Sequence, residues 1–126
     1  MTQELEQMQP GHAEPVVRLR IRNGADALAV IPRLLGFHPA ESMVLMVVER
    51  GRVELTARFD LSLCQDPVQL LERLGTISGR FPEAEWLLVA YTADSRLGDE
   101  ALTLLELALG PMAVIEALRA DGQRYW

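Results

Sequence analysis

The chain has 126 residues, which is enough for one domain with its own hydrophobic core and too few for two. Hydrophobic residues make up 49% and charged residues 24%, and this balance excludes a disordered, collagen-like or coiled-coil chain. The net charge is −6, and the 12 basic side chains are all arginine. These numbers argue against binding nucleic acid through a basic surface, and they exclude lysine-dependent chemistry.

Several further classes of protein are disfavoured by what the sequence lacks. The single cysteine, Cys64, excludes an intrachain disulfide. The chain has no apolar run of the ~18 residues that a membrane-spanning helix needs, and its polar N-terminus does not resemble a secretory signal. Glycine-rich phosphate loops, nucleophile elbows and cysteine pairs are also missing. We therefore predict a cytoplasmic protein with no membrane association, cofactor or metal.

The N-terminal part of the sequence predicts a tail, a strand and a helix. Residues 1–14 are predicted to form a mobile tail, and residues 15–126 a single α/β domain. Residues 16–21 alternate apolar and arginine side chains, as in a strand with one wet face. The apolar spacing of residues 25–35 predicts a helix that kinks or restarts at Pro32 and ends before Gly36.

The middle of the chain predicts an antiparallel hairpin. Residues 42–48 are apolar almost throughout, which indicates a strand covered on both faces. Residues 53–60 alternate strictly, which indicates a half-exposed edge strand. Between them, Arg50 and Gly51 fit a two-residue turn. The cross-strand pairs expected from that turn are Glu49 with Arg52 and Val44 with Ala57.

The second half of the chain alternates helices and strands. The expected elements are a helix from Asp66-Pro67 to Gly79, a strand over 86–91, a helix from Asp94 or Ser95 to Gly110, a strand over 112–120, and a turn at Asp121-Gly122 leading into residues 123–126. Strands joined by helices imply parallel crossovers. We therefore predict a mixed, mostly parallel sheet with one antiparallel hairpin and three helices on its faces.

The chain stops where a last strand begins. We therefore expect the domain to be truncated at its C-terminus; the alternative is that Tyr125 and Trp126 complete a short edge strand.

Two groups of polar residues are candidates for ligand binding. Arg58 and Asp60 project from one face of the edge strand, where they either bind an anion or orient a partner, or form a solvated ion pair worth at most about 1 kcal/mol. Tyr91, Asp94 and Ser95 follow a buried strand at a helix N-terminus, the place where open α/β sheets bind ligands. The alternative is that Asp94 or Ser95 only caps its own helix.

Other polar residues have weaker claims to a function. Asn23 occupies the corresponding position after the first strand. His38, Glu41 and Ser42 could converge on a catalytic site, but Pro39 favours an extended segment over a helix, so we assign no catalytic residue. Cys64 precedes a helix start, where a thiolate can be stabilised, but an ordinary loop thiol is favoured.

One stretch of sequence resembles a known family. The residues that carry the resemblance most specifically are Leu35, Gly36, Phe37, His38, Pro39, Glu41 and Ser42. They and further blocks across residues 16–126 are similar to a bacterial family known only as domain of unknown function 4192. The resemblance implies that the chain continues into a segment with cysteine and proline, and it implies no activity, cofactor or substrate.

Two functions fit these observations. The first is a binding or protein-interaction module that forms homo-oligomers through an edge strand, either 53–60 or the one near Trp126. The second is an enzyme or sensor for a small anionic metabolite or nucleotide, with its site at the C-terminal ends of the strands.

Overall fold

The computed structural model describes residues 9–10, 24–110 and 112–121. Its elements in chain order are β1 (Gln9–Pro10), α1 (Gly24–Leu35), β2 (Ser42–Glu49), β3 (Arg52–Asp60), a 3-10 helix (Leu61–Gln65), α2 (Pro67–Arg80), β4 (Glu85–Tyr91), α3 (Ser95–Leu109) and β5 (Val114–Ala120). The strand predicted over 16–21, Asn23 and the segment 123–126 lie outside the described residues. The helices and strands predicted between residues 25 and 120 are all present, with boundaries shifted by a few residues at most.

The sheet is mixed, and the prediction that it is mostly parallel is wrong. The strand order is β1-β3-β2-β4-β5. β2 pairs antiparallel with both β3 and β4, and only β4 and β5 pair in parallel. The helical connection from β3 to β4 does join strands that run the same way, but β2 lies between them. A hairpin strand inserted in this position converts an expected parallel pairing into two antiparallel ones.

The β2–β3 hairpin has the predicted turn but not the predicted register. Arg50 and Gly51 both have positive φ, 55° and 78°, as a two-residue hairpin turn requires. Glu49 pairs with Arg52 as expected, but Val44 pairs with Arg58 and not with Ala57. The reason is a register shift between Val47, which pairs with Leu55, and Val48, which pairs with Val53. The extra residue, Glu54, displaces every later pair by one position.

The helices cover both faces of the sheet, so the α/β class is confirmed. α1 packs on one face through Ala27, Ile31 and Leu35, and it meets side chains that include Val44, Met46, Val89 and Leu118. α2 and α3 pack on the other face through Leu70, Leu74, Ile77, Ala101, Leu102 and Leu105, against side chains that include Met43, Leu45, Phe59 and Leu88. The central strand β2 is therefore buried on both sides, which explains its uninterrupted apolar sequence.

Proline does not interrupt α1. The helix runs continuously from Gly24 to Leu35 with Pro32 inside it, so of the predicted kink or restart, the restart is wrong. Pro32 lies in the last turn, where it removes one amide donor and where little helix remains to be disturbed. Its carbonyl still accepts a hydrogen bond from the amide of Gly36 at 2.9 Å, and Gly36 ends the helix with φ of 82°.

β3 is more buried than an edge strand would be. Its residue Thr56 has no solvent exposure, although it lies on the face of the strand that the sequence marks as polar. β1 contributes to this, because Gln9 pairs with Thr56 and Pro10 with Leu55. In the described parts of the chain no helix is long and apolar enough to cross a membrane.

Candidate functional site

One end of the sheet gathers most of the polar residues that the sequence singled out. Ser42 opens β2 and pairs on one side with Asp60, the last residue of β3, and on the other with Tyr91, the last residue of β4. Tyr91 in turn pairs with Ala120, the last residue of β5. The C-terminal ends of three strands therefore lie together, and the polar segments that follow β3 and β4 leave the sheet at the same end.

Arg58 is held at this end by a short polar network. Its Nε donates a hydrogen bond to Ser42 Oγ at 2.9 Å, and its Nη2 lies 2.8 Å from Asp60 Oδ1. The Ser42 hydroxyl, which is fully buried, donates to the carbonyl of Ala40 at 2.7 Å. Only 18% of the Arg58 side chain is exposed, against 67% for Asp60. The guanidinium of Arg58 is thus held in place by a buried hydroxyl.

Glu41 forms a second network with Thr92. Its carboxylate accepts a hydrogen bond from the Thr92 hydroxyl at 3.0 Å, and its carbonyl accepts one from the amide of Leu61 at 2.9 Å. Glu41 adopts a positive φ of 47°, a conformation uncommon outside glycine. The Thr92 hydroxyl also accepts from the amide of Asp94 at 3.1 Å. Glu41 therefore joins the start of β2 to the segments that follow β3 and β4.

Asp94 is occupied with capping α3. Its Oδ1 accepts a hydrogen bond from the amide of Leu97 at 3.1 Å, in the usual N-cap arrangement. Ser95 is the first residue of the helix and is exposed. Of the two interpretations that the sequence left open for Asp94, the structure gives direct support to the cap.

A cavity of about 290 Å³ lies between these networks. We call it the sheet-end cavity, and its walls are Ala40, Glu41, Arg58, Asp60, Leu61, Ser62, Gln65 and Leu97. Three segments build it: the turn before β2, the end of β3 with the 3-10 helix, and the first turn of α3. Of the residues that the sequence singled out, Arg58, Asp60 and Glu41 line the cavity, whereas Tyr91, Asp94, Ser95 and Ser42 do not line it.

Tyr91 lies in the core and not in the cavity. It packs in the cluster beneath α1 and is 7% exposed. Burial raises the pKa of its phenol to about 12, so the hydroxyl stays protonated at neutral pH. Within the described chain this hydroxyl finds no hydrogen-bond partner. Tyr91 therefore belongs to the core beneath α1 and not to the lining of the cavity.

The segment that carries the family resemblance is mainly a connection between α1 and β2. Leu35 and Pro39 are buried, and Gly36 supplies the positive φ that ends the helix. Phe37 and His38 are exposed and do not line the cavity. Glu41 and Ser42 are the two residues of this segment that take part in the polar networks.

Cys64 is a buried thiol of the 3-10 helix. Its side chain packs in the core beneath α2 and α3, where burial raises the pKa of the thiol to about 11. A stabilised thiolate at this position is therefore excluded by the local environment. Among residues 24–110 and 112–121, no group of three or more His, Cys, Asp or Glu side chains is arranged to hold a metal ion.

Two features of the structure were not predicted from the sequence. The first is Thr92, which is buried and donates a hydrogen bond to Glu41. The sequence shows only that a threonine follows a strand, and this predicts neither its burial nor its partner. The second is a larger open groove of about 750 Å³ at the opposite end of the sheet. This hairpin groove is lined by Val48, Glu49, Arg50, Arg52, Glu54, Glu83 and Glu85.

Comparison with known proteins assigns the chain to a family. Residues 25–126 match the family described as Domain of unknown function (DUF4192). No curated protein and no solved structure matches the chain. The match covers the elements from α1 to β5, apart from the first residue of α1, and includes all the residues that line the sheet-end cavity. The chain therefore belongs to the DUF4192 family.

Proposed function

We propose that this domain binds a small polar metabolite in the sheet-end cavity. The observation that carries the proposal is the fixed position of Arg58, whose Nε is held by the buried hydroxyl of Ser42 while its side chain lines the cavity. Glu41 is held on the facing segment by buried Thr92. Polar groups that are oriented before binding lose little entropy when a ligand arrives, which favours affinity.

The cavity's size and charge limit the ligand. Its volume of about 290 Å³ is at the lower end of the roughly 300–1,000 Å³ that small-molecule sites occupy, so a dinucleotide is too large. Two carboxylates, Glu41 and Asp60, line it beside one guanidinium, Arg58. A polyanion would be repelled by that balance, whereas a zwitterion of amino-acid size offers an acidic group to Arg58 and a donor to Glu41. The cavity therefore favours a zwitterionic ligand over the anionic ligand that the sequence suggested.

Self-association through an edge strand has less support. β1 lies against part of the outer side of β3, and β5 carries an irregularity in its pairing with β4 near Ile115. Bulges of this kind discourage strand addition at an edge. Light scattering at high protein concentration tests self-association, because any dimer has twice the monomer mass and a monomeric mass would contradict the alternative.

The test is a thermal-unfolding screen with a panel of amino acids and related zwitterions. We expect at least one member to raise the melting temperature, with a stabilisation of about 2.7 kcal/mol at a concentration 100 times the dissociation constant. Arg58→Gln should abolish the effect of that ligand. Arg50→Gln is the matched control, because Arg50 lies at the opposite end of the sheet in the hairpin groove.

Two outcomes would overturn the proposal. One is a panel in which no member changes the melting temperature. The other is a ligand whose effect survives in Arg58→Gln but is lost in Arg50→Gln, because that result would locate binding in the hairpin groove.

A further inference from the structure

We infer that Glu41 is a clasp that couples the three walls of the sheet-end cavity to one another. Its backbone lies in the turn before β2, its carbonyl bonds to Leu61 at the start of the 3-10 helix, and its carboxylate bonds to Thr92 before α3. Glu41 itself and Leu61 line two of the walls, and Leu97 of α3 lines the third. One residue thus contacts or connects every segment that encloses the cavity.

The backbone of Glu41 shows that this arrangement depends on its contacts. A φ of 47° places a residue with a side chain in the left-handed region, which is disfavoured relative to right-handed backbone. Such a conformation persists only where surrounding interactions hold it. For Glu41 those interactions are the hydrogen bonds to Leu61 and Thr92, at 2.9 and 3.0 Å. Loss of either one should therefore weaken the other.

The link continues from Thr92 into α3. The Thr92 hydroxyl accepts from the amide of Asp94, and the Asp94 carboxylate accepts from the amide of Leu97. Thr92 is only 3% exposed. If its hydrogen bond to Glu41 is lost, water therefore cannot readily take the place of Glu41 as the acceptor. A change at Glu41 is thus transmitted to the first turn of α3, and a change at Thr92 is transmitted to the 3-10 helix.

This coupling also extends to a molecule bound in the cavity. The Thr92 hydroxyl donates to Oε1 of Glu41, so the second carboxylate oxygen can accept a donor from that molecule while Thr92 stays in place. Such a contact would restrain Glu41 further, and the restraint would be transmitted through Thr92 to the start of α3. The clasp itself is a property of the protein without a ligand, and it can be tested in that state.

The test is amide hydrogen exchange measured by NMR on the ligand-free protein. The decisive variant is Thr92→Val, which removes the hydroxyl and keeps the shape. We expect the Leu61 amide, whose acceptor is Glu41 and not Thr92, to exchange faster, by up to about fivefold, the factor that complete loss of an ordinary hydrogen bond would give. Each exchange rate is divided by that of the Leu88 amide in the core. This corrects for any loss of global stability in the variant.

Two further variants complete the design. Thr76→Val is the control for the same substitution at a distant site, because Thr76 is exposed on α2 and donates to the carbonyl of Glu72 in the same helix, so it should leave Leu61 unchanged. Glu41→Ala should accelerate exchange at both Leu61 and Leu97, and it keeps the test informative if Thr92→Val fails to fold.

Unchanged exchange at Leu61 in Thr92→Val, or at Leu97 in Glu41→Ala, would overturn the inference that Glu41 couples the walls of the cavity. Neither result would bear on whether a zwitterion binds, and a panel without any ligand would leave the exchange result standing.

Discussion

The amide of Gly24, the first residue of α1, donates a hydrogen bond of 2.7 Å to the carboxylate of Glu116 in β5, 92 positions further along the chain. A carboxylate at this position satisfies one of the free amides at the helix start and opposes the positive end of the helix dipole. We expect Glu116→Ala to lower the free energy of unfolding by about 1 kcal/mol, measured by urea denaturation. Glu116→Gln keeps a hydrogen-bond acceptor, so it should lower the free energy of unfolding by less. Equal losses would mean that the hydrogen bond contributes nothing.

Two helical glycines should respond in opposite ways to alanine. At Gly98 a methyl group would lie 2.7 Å from Cδ of Arg119 and 3.0 Å from Cγ2 of Thr92, whereas at Gly75 it would meet nothing within 4 Å. Alanine favours a helix over glycine by about 1 kcal/mol, so Gly75→Ala should raise the unfolding free energy by roughly that amount. Gly98→Ala should lower it by about 1 kcal/mol or more, because crowding exceeds the helical gain. Thermal denaturation compares the stability of each variant with that of the unsubstituted protein. A stabilised Gly98→Ala would contradict the prediction and show that Arg119 moves aside freely.

Two buried threonines should also differ. Thr56 is fully buried and its hydroxyl has no hydrogen-bond partner within the described chain, whereas the Thr92 hydroxyl makes two hydrogen bonds. Replacing Thr56 with the isosteric valine removes an unsatisfied polar group and should stabilise the protein by about 1 kcal/mol. Thr92→Val should destabilise it by about 1–2 kcal/mol, because the amide of Asp94 and the carboxylate of Glu41 lose their partner. Urea denaturation that ranked the two variants the other way would contradict the hydrogen-bond assignment.

Stability should decline in alkaline solution. Burial raises the pKa of the Cys64 thiol from 9.0 to about 11, and that of the Tyr91 phenol from 10.0 to about 12. Above pH 9 the unfolded chain releases protons that the folded chain retains, so the unfolding free energy falls as pH rises. Cys64 alone accounts for about 2 kcal/mol by pH 11.

Cys64→Ala provides the control for this pH dependence. It should flatten the decline between pH 9 and 11 and leave the part that is due to Tyr91. An identical pH profile in the variant would show that Cys64 ionises equally in both states.

The sequence allowed most of the local structure to be predicted, because local structure depends on neighbouring residues. The turn at Arg50 and Gly51, the cap at Asp94 and the helix end at Gly36 each follow from the chemistry of a few adjacent positions. The strand order was not predictable in this way. Nothing local to β2 indicates that it separates β3 from β4, and nothing in the alternating pattern of β3 reveals the extra residue at Glu54.

The same distinction applies to the site. Arg58 and Asp60 could be singled out because they lie two positions apart on one strand. Glu41 and Thr92 are 51 positions apart, and their contact exists only once β2 and β4 are paired. Asp94 illustrates the opposite case, in which the simpler interpretation of a capping residue accounts for its observed contact.

The tight hairpin has a consequence for the order of folding. The β2–β3 pairing closes a two-residue turn, whereas the pairing of Ser42 with Tyr91 closes a long segment of chain that contains β3 and α2. Short loops close faster than long ones during folding. We therefore expect the hairpin to be formed in the rate-limiting transition state and β5 to join the sheet later. In stopped-flow experiments Leu55→Ala should then chiefly slow refolding, and Leu118→Ala should chiefly hasten unfolding.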